Sequence, residues 1–200
     1  MIIGCCICYN EVDNIEACLT ALRKNVDYIV AVDGAYQRYP HEKCFSTDGT
    51  IDVINKLADY VIEVREPWKD EIEKRSSYLL GAADDYYFVV DADEICVGKL
   101  DDTELTELTH HVQIRRSDHP AMFVHRIYRH TKGLHYTGAH CFLINDEGVK
   151  YAHQPESRIM SVWLDHERHL LRSEARNVDK GNYIRDLANQ ERFFRNQEGI

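Results

Sequence analysis

Near the middle of the chain, Asp91-Ala92-Asp93-Glu94 puts three carboxylates within four residues. They follow Tyr86-Tyr87-Phe88-Val89-Val90, an aromatic and β-branched run that reads as a buried strand. Acids at the C-terminal end of such a strand sit where open α/β sheets hold their ligands. Asp91 and Asp93 stand two apart in extended backbone, so both can face one side. Paired carboxylates of this kind suit a hard divalent cation, Mn²⁺ or Mg²⁺, which in turn bridges to phosphate oxygens. The plainer alternative is a solvated acidic turn.

The elements that would position these acids are legible in order. Ile2–Cys8 reads as a first strand, ended by Tyr9-Asn10-Glu11. Ile15, Cys18, Leu19 and Leu22 recur at helical spacing and predict a helix over 13–24, with Asn10 or Asp13 as its cap. Asp27–Val32 reads as a second strand leading into Asp33-Gly34. Ser46-Thr47-Asp48-Gly49-Thr50 opens a second helix with Ile51, Ile54 and Leu57 on one face. A third strand is expected over Tyr60–Val64, and a third helix over 70–83, carrying Arg75. Such alternation predicts a parallel or mostly parallel sheet with helices on both faces. No Gly-x-Gly-x-x-Gly follows the first strand and no P-loop occurs. After residue 100 the pattern changes to a short helix over 101–109, strands at 111–117, 121–130, 134–145 and 149–153, and closing helices over 173–195.

Charge divides the chain similarly. Residues 1–108 hold 23 acids and 10 bases, whereas 109–200 hold 11 acids and 14 bases and ten of the eleven histidines. The acidic half argues against general nucleic-acid binding. The basic, histidine-rich half suits an anionic substrate or acceptor, or simply balances the first half. No stretch of eighteen apolar residues occurs, so no transmembrane segment is expected, and the N-terminus lacks the basic region of a signal peptide. Seven scattered cysteines suggest reduced thiols in a cytoplasmic protein, with Cys5, Cys6 and Cys8 packing in a strand.

Together these positions resemble the family 2 glycosyltransferases of the GT-A fold, over about residues 2–95. The matching residues are Tyr9-Asn10-Glu11 after the first strand, Asp33 after the second, Ser46-Thr47-Asp48-Gly49-Thr50 before the second helix, Arg75 in the third, and Asp91-Ala92-Asp93. Residues 35–45 depart from the family as an insertion. The resemblance implies an α/β fold: a GT-A-like, Rossmann-type mixed sheet flanked by helices, with a β-rich and helical C-terminal half. It implies one domain, with 1–98 binding the nucleotide sugar and 99–200 on the acceptor side.

The implied activity is metal-dependent, inverting transfer of a sugar from a nucleoside-diphosphate sugar, UDP-sugar by default, to an unidentified acceptor. Tyr9, Asn10, Glu11, Asp33, Arg75, Asp91 and Ala92 would hold the donor. Asp33 would read the base, and Arg75 would pair with phosphate through its planar fork. Asp91, Asp93 and a late histidine, His166, would hold Mn²⁺ or Mg²⁺. Asp165, Glu94 and His140 are candidates for the catalytic base. Two other readings compete: a haloacid-dehalogenase-like phosphatase, whose Asp-x-Asp lies near the N-terminus instead, and a non-catalytic sugar-nucleotide-binding module or subunit of a larger assembly.

Overall fold

The computed structural model describes residues 1–138, 141–155 and 157–167. Ten strands are present among them: β1 (Ile2–Cys8), β2 (Tyr28–Asp33), β3 (Tyr60–Ile62), β4 (Tyr86–Asp91), β5 (Ile95–Gly98), β6 (Thr109–Arg116), β7 (His119–Arg129), β8 (His135–Thr137), β9 (Phe142–Ile144) and β10 (Arg158–Asp165). Three helices accompany them: α1 (Val12–Leu22), α2 (Thr50–Leu57) and α3 (Glu71–Ser76). Eight strands form one mixed sheet in the order β3-β2-β1-β4-β7-β6-β10-β5, and β8 and β9 form a separate hairpin. The fold is therefore α/β, with the Rossmann-type mixed sheet that the resemblance implies; β3, β2, β1 and β4 are parallel, as the alternation predicts, and antiparallel pairs enter beyond β4.

Strand parity divides the core in two. In β1, Cys6 and Cys8 face the cluster containing Ile15, Leu19 and Leu22 of α1, while Ile3 and Cys5 face the cluster containing Tyr78, Tyr136 and Tyr151. Cys5 and Cys8 have Cys-x-x-Cys spacing, yet the two-residue period sends them to opposite faces. All seven cysteines are free.

The structure corrects several boundaries. Neither Asn10 nor Asp13 caps α1. Glu11 is the N-cap and makes no side-chain cap bond. The neighbouring loop supplies acceptors instead: Asp48 Oδ2 takes the Val12 N–H at 3.1 Å and Thr50 Oγ1 takes the Glu11 N–H at 2.7 Å. The third helix is much shorter than 70–83. Asp70 caps it by accepting from Glu73 N, and the Ser77 hydroxyl donates back to the Lys74 carbonyl just after its end. Tyr78 then turns into the core to meet the Tyr136 hydroxyl at 2.7 Å.

The segment over 101–109 holds only a 3₁₀ turn, Asp102–Glu104, before β6 begins. Within 134–145 the described residues form two short antiparallel strands, β8 and β9, rather than one, and the segment at 149–153 holds a 3₁₀ turn, Tyr151–His153. Two strands escaped the sequence reading, β5 and β10, which pair antiparallel at the sheet's far edge. The expected helices over 173–195 lie outside the described residues. No described helix is long and apolar enough to cross a membrane.

Candidate functional site

Strands β1, β2 and β4 run parallel; β7 is antiparallel to both β4 and β6; β6 is parallel to β10. The C-terminal ends of β1, β2, β4, β6 and β10 therefore share one edge of the sheet, the edge where α/β sheets bind ligands. Tyr9, Asp33, Asp91, Arg116 and Asp165 end or follow those five strands.

Asp91 is the centre of an ionic cluster. Its Oδ1 accepts from Arg75 Nη2 at 2.9 Å and its Oδ2 accepts from Arg126 Nη2 at 3.1 Å. Arg75 also donates through Nε to Glu71 Oε1, one turn back on α3, at 2.6 Å. Arg126 also donates to Glu94 Oε1 at 2.5 Å, and Glu94 Oε2 accepts the Asp91 N–H at 2.9 Å. Glu94 is fully buried. Burial lifts its carboxyl to about 7 against the opposing pull of Arg126, with Asp91 adding to the rise. Arg126 carries a buried Nε without a hydrogen-bond partner.

A register defect aims Arg126. His110 pairs with Ile127 and His111 pairs with His125, so Arg126 is the extra residue of a β-bulge in β7. Bulges of this type re-aim one side chain and recur beside functional sites. The sequence reading missed Arg126 because nothing in His125-Arg126-Ile127 discloses where pairing slips. For Arg75 the sequence offers an ion pair with Glu71 as the alternative to phosphate binding, and that pair is present here.

Asp93 and His166 form a second pair. His166 Nε2 lies 2.9 Å from Asp93 Oδ2, and the backbone of His166 is fixed by its N–H donating to the Arg115 carbonyl at 3.0 Å. That hydrogen bond, opposed by burial, holds the imidazole pKa above its ordinary 6.5. Among the described residues no three His, Cys, Asp or Glu side chains are grouped to hold a metal. The donor chemistry of the pair nonetheless fits a borderline divalent ion, one carboxylate oxygen beside one imidazole nitrogen. Asp91, engaged by two guanidiniums, suits contact through water better than direct ligation. Ala92 points into the core beneath the turn.

At the other side of β1 the geometry differs. Asp33 is fully buried and both its oxygens accept from Ser46, Oδ1 from the hydroxyl at 2.5 Å and Oδ2 from the N–H at 2.8 Å. Asn10, in left-handed backbone with φ 53°, accepts the Thr47 N–H through Oδ1 and donates its own N–H to Ser46 Oγ. Glu11 is buried and accepts from Asn14 Nδ2. Lys74, also buried, donates to the carbonyls of Cys8 at 2.7 Å and Gly34 at 2.5 Å, tying the ends of β1 and β2 together. Burial lowers its ammonium to about 8.

The inserted loop forms a wall here. Tyr9 donates to the Lys43 carbonyl at 3.0 Å and meets the Tyr39 ring edge-on at 6.2 Å. Between strand end and loop lies a cleft of about 470 Å³, lined by Tyr9, Asn10, Tyr39, Pro40, His41, Glu42 and Thr47. That volume falls within the range of small-ligand sites.

Asp165 ends β10, its Oδ1 accepting the Glu167 N–H at 3.0 Å. His140 lies outside the described residues. The structure thus gathers Arg75, Asp91, Asp93, Glu94 and His166 at one edge, adds Arg126, and keeps Asp33 buried beneath its own loop.

No family model and no curated protein matches the chain. Among solved structures it is similar to residues 1–349 of S. aureus TarS, at 20% identity and a TM-score of 0.41 over 57% of this chain and 35% of that one. A complex of the same fragment with UDP gives 22% and 0.37 over 48% and 28%. A further S. aureus TarS structure gives 18% and 0.41 over 56% and 21%. The chain spans about a fifth to a third of the length of these structures. Scores of this size establish neither a family nor an activity.

Proposed function

We propose that this chain is a metal-dependent glycosyltransferase that takes its sugar from a nucleoside-diphosphate donor. The observation that carries the reading is the edge cluster: two guanidiniums meeting on Asp91, with Asp93 in the turn that follows paired to His166 from the end of β10. A departing diphosphate gathers negative charge, and two guanidiniums already oriented by carboxylates can receive it through paired N–H···O bonds. Asp93 and His166 would hold Mn²⁺, or less readily Mg²⁺. When bound, the cation supplies Lewis-acid stabilisation to the leaving group.

The chain's own groups do the rest. Arg75 and Arg126 orient the diphosphate, with Asp91 and Glu94 fixing their forks beforehand. Tyr9 and Asn10 line the cleft that would take the nucleoside, UDP by resemblance. Asp33 acts from behind, holding Ser46 and hence the loop that walls this cleft. We assign Asp165 the acceptor proton in an inverting transfer; its position at the end of β10, beside His166, supports the assignment.

A thermal-shift panel of UDP, GDP, CDP and dTDP, each with and without Mn²⁺, tests the reading. A ligand that binds only the folded state raises its stability by mass action. One diphosphate is expected to raise Tm only with Mn²⁺, and Asp93→Ala is expected to abolish that rise while the protein stays folded. The matching donor should then be consumed. Binding without consumption would leave a sugar-nucleotide-binding module, and no shift with any diphosphate would defeat the proposal.

A further inference from the structure

The sheet face that carries Asp91 and Tyr128 continues past the cluster over β7, β6 and β10. Register places His111 opposite both His125 and Arg158, on the side away from Val112, Ile159 and Leu164, which are buried in the α1-side core. Six side chains on this face form three stacked pairs. The Arg115 guanidinium sits over the Trp163 ring at 4.1 Å, and the Arg158 guanidinium over the Phe123 ring at 4.6 Å. Between them the His111 and His125 rings lie 3.8 Å apart. His125 precedes Arg126 in the chain, and Arg115 gives its carbonyl to His166, so the face abuts the proposed transfer site.

A bare aromatic face attracts the C–H side of a neutral sugar, but here both rings are capped by cations. What the surface offers is guanidinium whose rear is occupied by an aromatic ring and whose N–H groups lie in its own plane. Arg115 uses Nε on Gln113 Oε1 at 2.7 Å, which fixes the plane. A fork preorganised in this way at Arg115 matches carboxylate or phosphate, not uncharged hydroxyls, and the Arg158 guanidinium adds positive charge to the same face. From Arg115 to His111 is four residues of strand, roughly 13 Å at about 3.3 Å each, a span of more than one sugar unit.

We propose that this face is the acceptor site and that the acceptor is a glycan-type molecule bearing anionic groups, phosphate or carboxylate. The inference rests on the transferase reading above, which it supplies with a substrate class. Arg115 and Arg158 would be specificity residues rather than catalytic ones.

The two tryptophans give separate reporters. Trp68 is buried, its indole N–H donating to the Asp33 carbonyl at 2.8 Å, whereas Trp163 lies on the proposed acceptor face. In ¹⁵N-labelled protein, assigned with Trp163→Phe, the Trp163 indole signal would be followed during titration with glucose 6-phosphate, glucuronate, glucose and inorganic phosphate. The proposal expects the signal to move with glucose 6-phosphate or glucuronate, and which of them does so names the anion. Glucose should leave it unmoved, and inorganic phosphate should act more weakly than the sugar phosphate. Arg115→Ala and Arg158→Ala should each weaken the response about tenfold, the loss of one charge-assisted contact. An equal response to glucose or to inorganic phosphate, no response to either anionic sugar, or indifference to both variants would overturn it. The Mn²⁺–nucleotide thermal shift, run on the same samples, should be unaltered by either variant; its absence from the unmutated protein would instead count against the donor reading.

Discussion

Asp33 and Asp91 end the two strands that flank β1, and their surroundings differ sharply. Asp33 follows Val32 on the α1 side of the sheet and meets uncharged donors, giving both oxygens to Ser46 of its own loop and Oδ1 also to the Cys8 thiol of β1. Asp91 follows Val90 on the α3 side and meets guanidiniums from two distant elements, Arg75 of α3 and Arg126 of β7. One is a neutral-donor site that shapes a loop; the other is a charged site that long-range packing must assemble. The same residue type at the same strand end thus does structural work on one face and electrostatic work on the other.

The largest test of that contrast is Arg126→Met. It leaves Glu94 buried without its cation, and breaking one side of a buried pair costs about 3–5 kcal/mol. Urea unfolding should show this loss, and the double variant Arg126→Met with Glu94→Gln should recover much of it. A loss under about 1 kcal/mol, the scale of an exposed pair, would erase the distinction between the two sites.

Their pH responses should have opposite signs. Glu94 is raised from 4.5 to about 7 in the fold, so the native state holds the proton longer than the unfolded chain. Its contribution is full below 4.5 and is lost as pH climbs to about 7. Lys74, behind Asp33, is lowered from 10.5 to about 8, so between those values the unfolded chain binds more protons and stability rises with pH. Urea midpoints across both windows should show a fall that Glu94→Gln flattens and a rise that Lys74→Met flattens.

Asp33→Asn sharpens the comparison further. An amide keeps one acceptor for Ser46 and sets a donor against the other bond, costing about 1–3 kcal/mol of stability. Asp91→Asn should cost less in stability than in Mn²⁺-dependent nucleotide affinity. Equal effects of both variants on affinity would mean that Asp33 touches the ligand after all. Asp48→Ala removes the acceptor that caps α1 from outside and also the one that takes the Thr50 N–H and hydroxyl at the start of α2, and should lower stability by about 1–2 kcal/mol, read from the urea midpoint.

The first ninety residues were legible because each element there is local. Ile15, Cys18, Leu19 and Leu22 declare α1, and Tyr86–Val90 declares β4, from their own spacing. Boundaries moved where a partner elsewhere decides them, as when the Tyr136 hydroxyl draws Tyr78 out of α3. The candidate site was legible where a strand end marks it, at Asp91 and Asp93, and His166 was reached through family resemblance. Arg126 was hidden because its direction depends on a one-residue slip between β6 and β7, which no residue in either strand announces. Asp33 was visible as a strand-end acid, but its engagement with Ser46 depends on how the 35–45 insertion closes.

The sheet order has a kinetic consequence. β5 follows β4 after only three residues, yet three later strands, β7, β6 and β10, stand between them in the sheet. During refolding, β4 therefore keeps an open hydrogen-bonding edge until residues from the chain's second half arrive. Non-local pairing of this sort slows folding, and an open edge is the template on which chains stick to one another. The early β1–β4 unit should form first, with Asp33 and its loop already in place, while Arg126 joins Asp91 only when β7 docks. Ligand binding should then recover after most of the secondary structure has returned.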